Sequence, residues 1–224
     1  APAQLIHDAR QHGIKVLAVD VLRSDWESRL ETQPDGSDAV RLGLHMVRGL
    51  SSSAGPCIEA WRKTRSVIAE ATTAASAGLA SFASQTGLDQ ADLQALAQAD
   101  ALSGLSGHRR QSLWQVSGWQ PQRDLLKACE ASSLEPPPDA LRAPDEIASI
   151  AADLKHLGVS MGRHPMALLR PLLKPYRVRT ALELRNLADG ALARGSGLVT
   201  HRQRPETAKG VIFITLEDET GVIQ

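Results

Sequence analysis

Two short stretches of this chain carry residues that could hold a phosphate. The first is MVRGLSSSAGPCIEAW, from Met46 to Trp61. Gly49 permits a tight backbone turn, and the small residues Ser51, Ser52 and Ser53 let the chain approach an anion closely. The stretch runs on through Gly55 into a helix whose first N–H groups would aim at the same anion. Arg48 adds charge from the side. This is the layout of a helix-hairpin-helix, which grips a phosphate backbone without reading bases. An ordinary helical corner would carry the same residues, so the stretch alone leaves both readings open.

The second stretch is SGHRRQSLW, from Ser106 to Trp114. Gly107 supplies another turn, and His108, Arg109 and Arg110 fall in the first turn of the next helix. Cations there oppose the helix dipole, at a small cost that an incoming phosphate would remove. A structural role for the same cations explains the sequence equally well. The two turns recur about 56 residues apart, Gly49 to Leu105, as a weak internal repeat. Catalytic patterns are missing from the sequence: no strand-borne carboxylate pair for two metal ions, no P-loop, no nucleophile elbow and no His/Cys cluster. The seven histidines are scattered singly. The expectation is a binding segment without catalytic residues, metal or cofactor of its own.

The elements that must position these turns are mostly helical. A short helix is expected over Ala3 to His12, followed by one buried strand, IKVLAVDV, over Ile14 to Val21. Val40, Leu44 and Val47 have helical spacing, which predicts a helix over 40–47. Pro56 suits the first turn of the helix after the hairpin, which presents Ile58 and Trp61 on one face. Ala69 to Ser84 is Ala-rich and expected to be helical. Asp89 can cap a helix burying Leu93, Leu96 and Ala97. Further on, Ile147, Ile150, Ala151, Leu154 and Leu157 form an apolar stripe that Gly158 is placed to end. Thr180 and Glu183 have capping-box spacing. After Gly190 the period changes to two, and Val211 to Leu216 reads as a strand covered on both faces. The four tryptophans, 26, 61, 114 and 119, are expected to pack in the core. The expected fold class is mainly α for some 185 residues, then the first strands of a β domain.

Composition bounds the rest. At 224 residues and 42% hydrophobic content the chain can bury one or two modest cores. No apolar run approaches the roughly 18 residues of a membrane span, so no membrane partner is expected. Cys57 and Cys129 lack metal-like spacing and read as buried free thiols, which fits the cytoplasm. Net charge is zero, but its distribution is uneven. Lys155 to Arg204 holds ten Lys or Arg against Glu183 and Asp189, a net +8, whereas Glu130 to Glu146 is net −4 with four prolines. A basic segment beyond an acidic linker fits a polyanion partner; solvated surface charge is the plain alternative.

The C-terminal residues carry a resemblance. GLVTHRQRP.TA.G..F.TLEDETG, Gly197 to Gly221, resembles the start of the OB-fold that follows the helix-hairpin-helix region in bacterial C-family DNA polymerase III α subunits. The agreement extends back, in family order, through LGVSMGRHPMALLR and GHRRQSLWQV to VRLGLHMVRGLS. PAQLIHDARQHGIKVLAVDVLRSDW resembles the segment leaving the fingers domain, so essentially the whole chain is covered. Trp26 in SDWESRLE and RQRP at 202–205 look like the error-prone, damage-inducible branch, with the same region of a replicative α subunit as the alternative. Two departures are DVLRS at 20–24, where Asn usually follows DV, and Glu206, where Gly is usual.

The resemblance implies a division into the end of the fingers (1–39), a duplex-binding hairpin region (40–130), an acidic linker (131–146), a helical connector (147–189) and the start of an OB-fold barrel (190–224). It implies a PHP domain, the palm with its Mg2+-binding aspartates and most of the fingers upstream of Ala1, and the rest of the barrel beyond Gln224. It implies duplex contact by Arg48 to Gly55 and Gly107 to Arg110, and single-strand contact by His201, Arg202, Arg204 and Lys209. The implied partners are primer-template DNA, single-stranded template, and in a rival reading a sliding clamp or the inactive Y-family protein that accompanies this branch. QSLWQV, Gln111 to Val116, lies near where replicative relatives carry a clamp-binding peptide but lacks its terminal hydrophobes.

Overall fold

The computed structural model describes residues 2–71, 78–119, 141–205 and 210–223. They fall into two compact units, Ala1–Met161 and Gly162–Gln224. The first unit opens with helix α1 (Pro2–Gln11) and strand β1 (Lys15–Leu17). The apolar run predicted as one strand to Val21 leaves the ladder after Leu17. Asp20 folds the backbone into a turn, its carboxylate accepting from the Leu22 N–H at 2.9 Å and its carbonyl from the Ser24 N–H at 2.7 Å. Val19 and Val21 are buried all the same. Apolar residues mark burial, and burial does not require a strand.

Residues 40–47 are not the predicted helix. β2 (Arg29–Thr32) and β3 (Asp38–Arg41) form an antiparallel pair that the sequence did not reveal, and β1 joins β3 in parallel. A 3-10 turn, Leu44–Met46, follows. Long-range bonds decide this: the Leu44 N–H donates to Asp25 O at 2.9 Å and the His45 N–H to Trp26 O at 3.1 Å, partners that an α-helix would forfeit. Thus the helical stretch expected up to residue 185 is interrupted early by a small sheet.

The remaining elements of this unit are α2 (Ala54–Ala71), α3 (Leu79–Thr86), α4 (Gln90–Gln98), the single turn α5 (Ser103–Ser106), α6 (Arg109–Gly118) and α7 (Glu146–His156). Pro56 lies in the first turn of α2, and Ile58 and Trp61 enter the core, where Trp61 meets Phe82 edge-on at 4.8 Å. Asp89 caps α4 as expected, accepting from the Asp92 N–H at 2.8 Å, and Leu93, Leu96 and Ala97 are buried. On α7 the stripe is split. Ile150 and Leu157 face the core with Asp153 between them, whereas Ile147 is 67% and Leu154 38% exposed. Trp114 is also outside the core, at 46% exposure, and Cys57 is a free but exposed thiol. Cys129, part of the Ala69–Ser84 stretch and most of the acidic linker lie outside the described residues.

The second unit contains α8 (Pro165–Leu173), a 3-10 turn, the parallel pair β4 (Val178–Arg179) and β5 (Arg194–Gly195), and α9 (Ala181–Arg185) with the predicted capping box. Three strands then form an antiparallel meander: β6 (Leu198–Gln203), β7 (Phe213–Asp218) and β8 (Gly221–Ile223). Among the described residues these strands close no barrel, and Phe213 and Ile214 are exposed rather than covered. A polar cluster ties α8, α9 and the end of β7 together. Buried Asp218 accepts from the N–H groups of Thr220 at 2.7 Å, Ala181 at 2.8 Å and Gly221 at 3.1 Å, and from Arg170 Nη2 at 3.1 Å. Burial pushes its carboxyl up, but the Thr220 and Ala181 hydrogen bonds and the Arg170 charge outweigh that and hold it below the usual range.

Candidate nucleic-acid interface

At the first turn Gly49 takes φ 85°, a left-handed conformation that side-chain-bearing residues rarely adopt. Ser51, Ser52 and Ser53 are exposed beyond it, leading into the N-terminus of α2. The Ser51 N–H and hydroxyl both donate to the Asp92 carboxylate, at 2.7 Å each, and Ser51 Oγ also meets Ser53 Oγ at 2.9 Å. Asp92, buried on α4, therefore occupies one anion position at this turn. Ser52 makes no hydrogen bond among the described residues. Gly55 answers to a different need: a Cβ there would lie 2.8 Å from Trp26 Cε3, so its bareness serves packing. Arg48 is exposed but anchored, its N–H donating to His156 O at 2.9 Å and its Nη1 to Lys155 O at 3.0 Å.

The second turn uses its charges differently. Gly107 is again left-handed, at φ 100°. His108 is the N-cap of α6 rather than part of its first turn. Its Nδ1 accepts from the Gln111 N–H at 3.3 Å, so the proton sits on Nε2, which donates to Leu141 O at 3.0 Å. Arg109 is buried, its Nη2 paired with Asp153 of α7 and its Nη1 donating to Ser149 O at 3.2 Å. That guanidinium is committed inside the protein. Arg110 stays exposed, its Nη1 donating to Arg142 O at 3.2 Å. Beside the pair, Asp100 at the end of α4 holds φ 62°, and its Oδ1 is buried without a partner among the described residues. Burial pushes its carboxyl above the usual range and Asp153 adds to that, while Arg109 and His108 pull it down.

The structure thus joins three segments that are far apart in sequence. Arg48 of the first turn and Arg109 of α6 both bond to α7, and burial first, then the charges of Lys155, Arg109 and Arg48, lowers the His156 pKa. In the second unit His201, Arg202 and Arg204 are all exposed, and the two arginine side chains make no hydrogen bond or ion pair among the described residues, although the Arg202 backbone pairs with Ile214 in the β6–β7 ladder. Lys209 lies outside the described residues. Other cations of the basic segment are used internally: Arg170 pairs with Glu219 at 2.7 Å and with Asp218, and Arg185 donates to Val222 O at 3.3 Å.

Reading the sequence missed Asp92, Asp153, Lys155 and His156 as parts of this region. Asp153 did leave a signal, an acid in register with Ile150 and Leu157 on a core-facing stripe. Asp92 left only its place in the first turn of α4, and its contact with Ser51 crosses 41 positions. Among the described residues no group of three or more His, Cys, Asp or Glu side chains could hold a metal ion. No described helix is long and apolar enough to cross a membrane.

Comparison with known proteins bears on both turns. A family model described as a helix-hairpin-helix motif matches residues 13–112. The chain is 47% identical over 224 residues to an error-prone DNA polymerase of Bordetella parapertussis, covering 100% of this chain and 20% of that protein. It is 45% identical over 227 residues to one from Burkholderia pseudomallei, covering 99% of this chain and 20% of the relative. For one from Alkalilimnicola ehrlichii the figures are 44% over 223 residues, 100% of this chain and 21% of the relative. The chain therefore spans about a fifth of the length of the curated relatives it matches.

Proposed function

We propose that this chain, which corresponds from end to end to about a fifth of an error-prone DNA polymerase, holds DNA for that enzyme while residues elsewhere perform the chemistry. The parent activity in this reading is template-directed DNA synthesis across lesions, and the present segment grips the primer-template duplex. The observation that carries the reading is the helix-hairpin-helix match over 13–112, which spans both glycine turns. The grip is sequence-independent, since the exposed groups at the first turn are hydroxyls, backbone and Arg48, all suited to phosphate rather than base edges. It is salt-dependent for the same reason.

The antiparallel β6–β7 pair extends the reading to single-stranded template. Exposed Arg202 and Arg204 would contact its backbone, with His201 beside them to stack on a base. In this reading the meander is the start of an OB-fold completed by further strands of the parent. Docking of a clamp through Gln111 to Val116 is disfavoured by the helical, partly buried state of that segment in α6, although Trp114 is exposed.

Anisotropy titration of the chain with a random-sequence duplex tests the central claim. Gly49→Val, which forces a β-branched residue into φ 85°, should weaken binding at least about tenfold while a cooperative unfolding transition remains. Undiminished affinity in a folded variant would make the turn an ordinary helical corner. On an unstructured oligonucleotide, replacing both Arg202 and Arg204 with Ala should flatten the slope of log affinity against log salt by roughly 1.4, at about 0.7 per lost contact. An identical slope would return those arginines to solvated surface.

A further inference from the structure

We infer that the C-terminal turn of α7 continues the phosphate-binding surface that begins at the Gly49 turn, with Lys155 and His156 contacting the backbone of duplex DNA beside Arg48. The inference rests on the duplex-binding reading and adds to it a surface contributed by residues more than a hundred positions away in sequence.

The end of a helix exposes unpaired carbonyls and a partial negative charge, which on its own repels a phosphate. Here that end is reversed in sign. Arg48 donates through its N–H to His156 O at 2.9 Å and through Nη1 to Lys155 O at 3.0 Å, laying a guanidinium over the last turn. Gly158 leaves room for it, since a Cβ at that position would lie 3.0 Å from Arg48 Nη2. Lys155 is exposed and makes no ion pair among the described residues. The carboxylate of Asp153, one turn back, is already held by Arg109 and by the Met161 N–H at 3.0 Å. Anchoring Arg48 to α7 fixes the distance between the hairpin and these cations, so one rigid surface presents both.

His156 adds a property that a plain basic patch lacks. The charged groups acting on it are Lys155, Arg109 and Arg48, all positive, and with burial they keep its pKa below the usual histidine range. A phosphate placed against this turn relieves the repulsion and favours the imidazolium. Binding therefore takes up a proton, and affinity rises as pH falls. Complementing the helix dipole alone would require neither a lost salt contact nor a binding-linked proton.

The test uses the full 224-residue chain and a random-sequence duplex. In salt titrations at pH 8, Lys155→Ala should flatten the log–log slope by about 0.9, and Lys155→Arg should restore it. Between pH 8 and pH 6, wild-type affinity should rise more steeply than that of His156→Gln, the difference being at most about tenfold per pH unit. Thermal unfolding of each variant separates a binding effect from a folding one. If wild type binds and Lys155→Ala keeps the full slope, the α7 surface is overturned while the duplex-binding reading stands. Equal pH dependence in His156→Gln removes the imidazole from the surface. If wild type does not bind duplex at all, both fall together.

Discussion

The turns at Gly49 and Gly107 look alike in sequence, each a glycine bend with cations close by and an apolar-faced helix beyond. The folded chain puts them to opposite uses. At the first, the bend is exposed, the serines face solvent, and the one buried ionic group, Asp92, comes from another helix to hold Ser51. At the second, the cations turn inward: His108 caps its own helix, and Arg109 is sealed against Asp153. A motif's charges therefore say little about its ligand until their partners are known. A phosphate can reach an exposed hydroxyl or an unburied Arg48, but it cannot recruit a guanidinium that already neutralises a buried acid.

Breaking the second turn should have the largest effect. Arg109→Ala leaves the buried Asp153 without its counter-charge, held among the described residues only by the Met161 N–H, and urea denaturation should show a loss of about 3–5 kcal/mol. Replacing Arg109 and Asp153 together with Met and Leu should recover most of it. A loss under about 1 kcal/mol would mean that the two turns are less different than the geometry indicates.

Gly49→Val comes next for stability. A Cβ added there meets only Ala95 Cβ, at 4.0 Å, so the expected cost is backbone strain, about 1–3 kcal/mol by chemical denaturation. Gly49→Asn should cost less, because Asn tolerates the left-handed region. Equal losses for the two would point to packing instead of strain. Ser51→Ala removes one of the two bonds to Asp92 and keeps the other, and should cost roughly 1 kcal/mol.

The smallest effect sharpens the comparison through pH. Burial raises the Asp100 pKa in the folded state, so folding favours the protonated form, and stability is lost as pH rises through the window above the unfolded pKa. Asp100→Asn should then stabilise the chain slightly at neutral pH and not at acid pH, and Asn accepts φ 62°. Melting curves at pH 4 and pH 7 check this. A destabilised Asn variant at pH 7 would mean that the Asp100 charge is a working partner of Arg109.

Much of the local architecture was legible in advance. Asp89 as a cap, Gly158 as the end of α7 and the Thr180–Glu183 capping box all rest on interactions within a few residues. Two misreadings took apolar spacing for regular structure. The strand expected to Val21 is ended by the turn at Asp20, and the helix expected over 40–47 is displaced by bonds to the carbonyls of Asp25 and Trp26. The strands at 29–32 and 38–41 are only four residues each, β2 is mostly exposed, and β3 buries the charged Arg41 beside Ala39, so no alternating apolar pattern marked them. Phe213 and Ile214 have the spacing of a covered strand, but among the described residues both are exposed.

By itself the sequence determined where the chain bends, which residues cap its helices and which family it resembles, because these depend on near neighbours and residue order. Only the tertiary structure decided which cations are free. Arg109 and Arg110 are adjacent and chemically identical, yet one meets Asp153 across 44 positions and the other remains at the surface. The physical reason is that a buried charge is tolerated only with a partner in place, and partners are assigned by packing rather than by proximity along the chain.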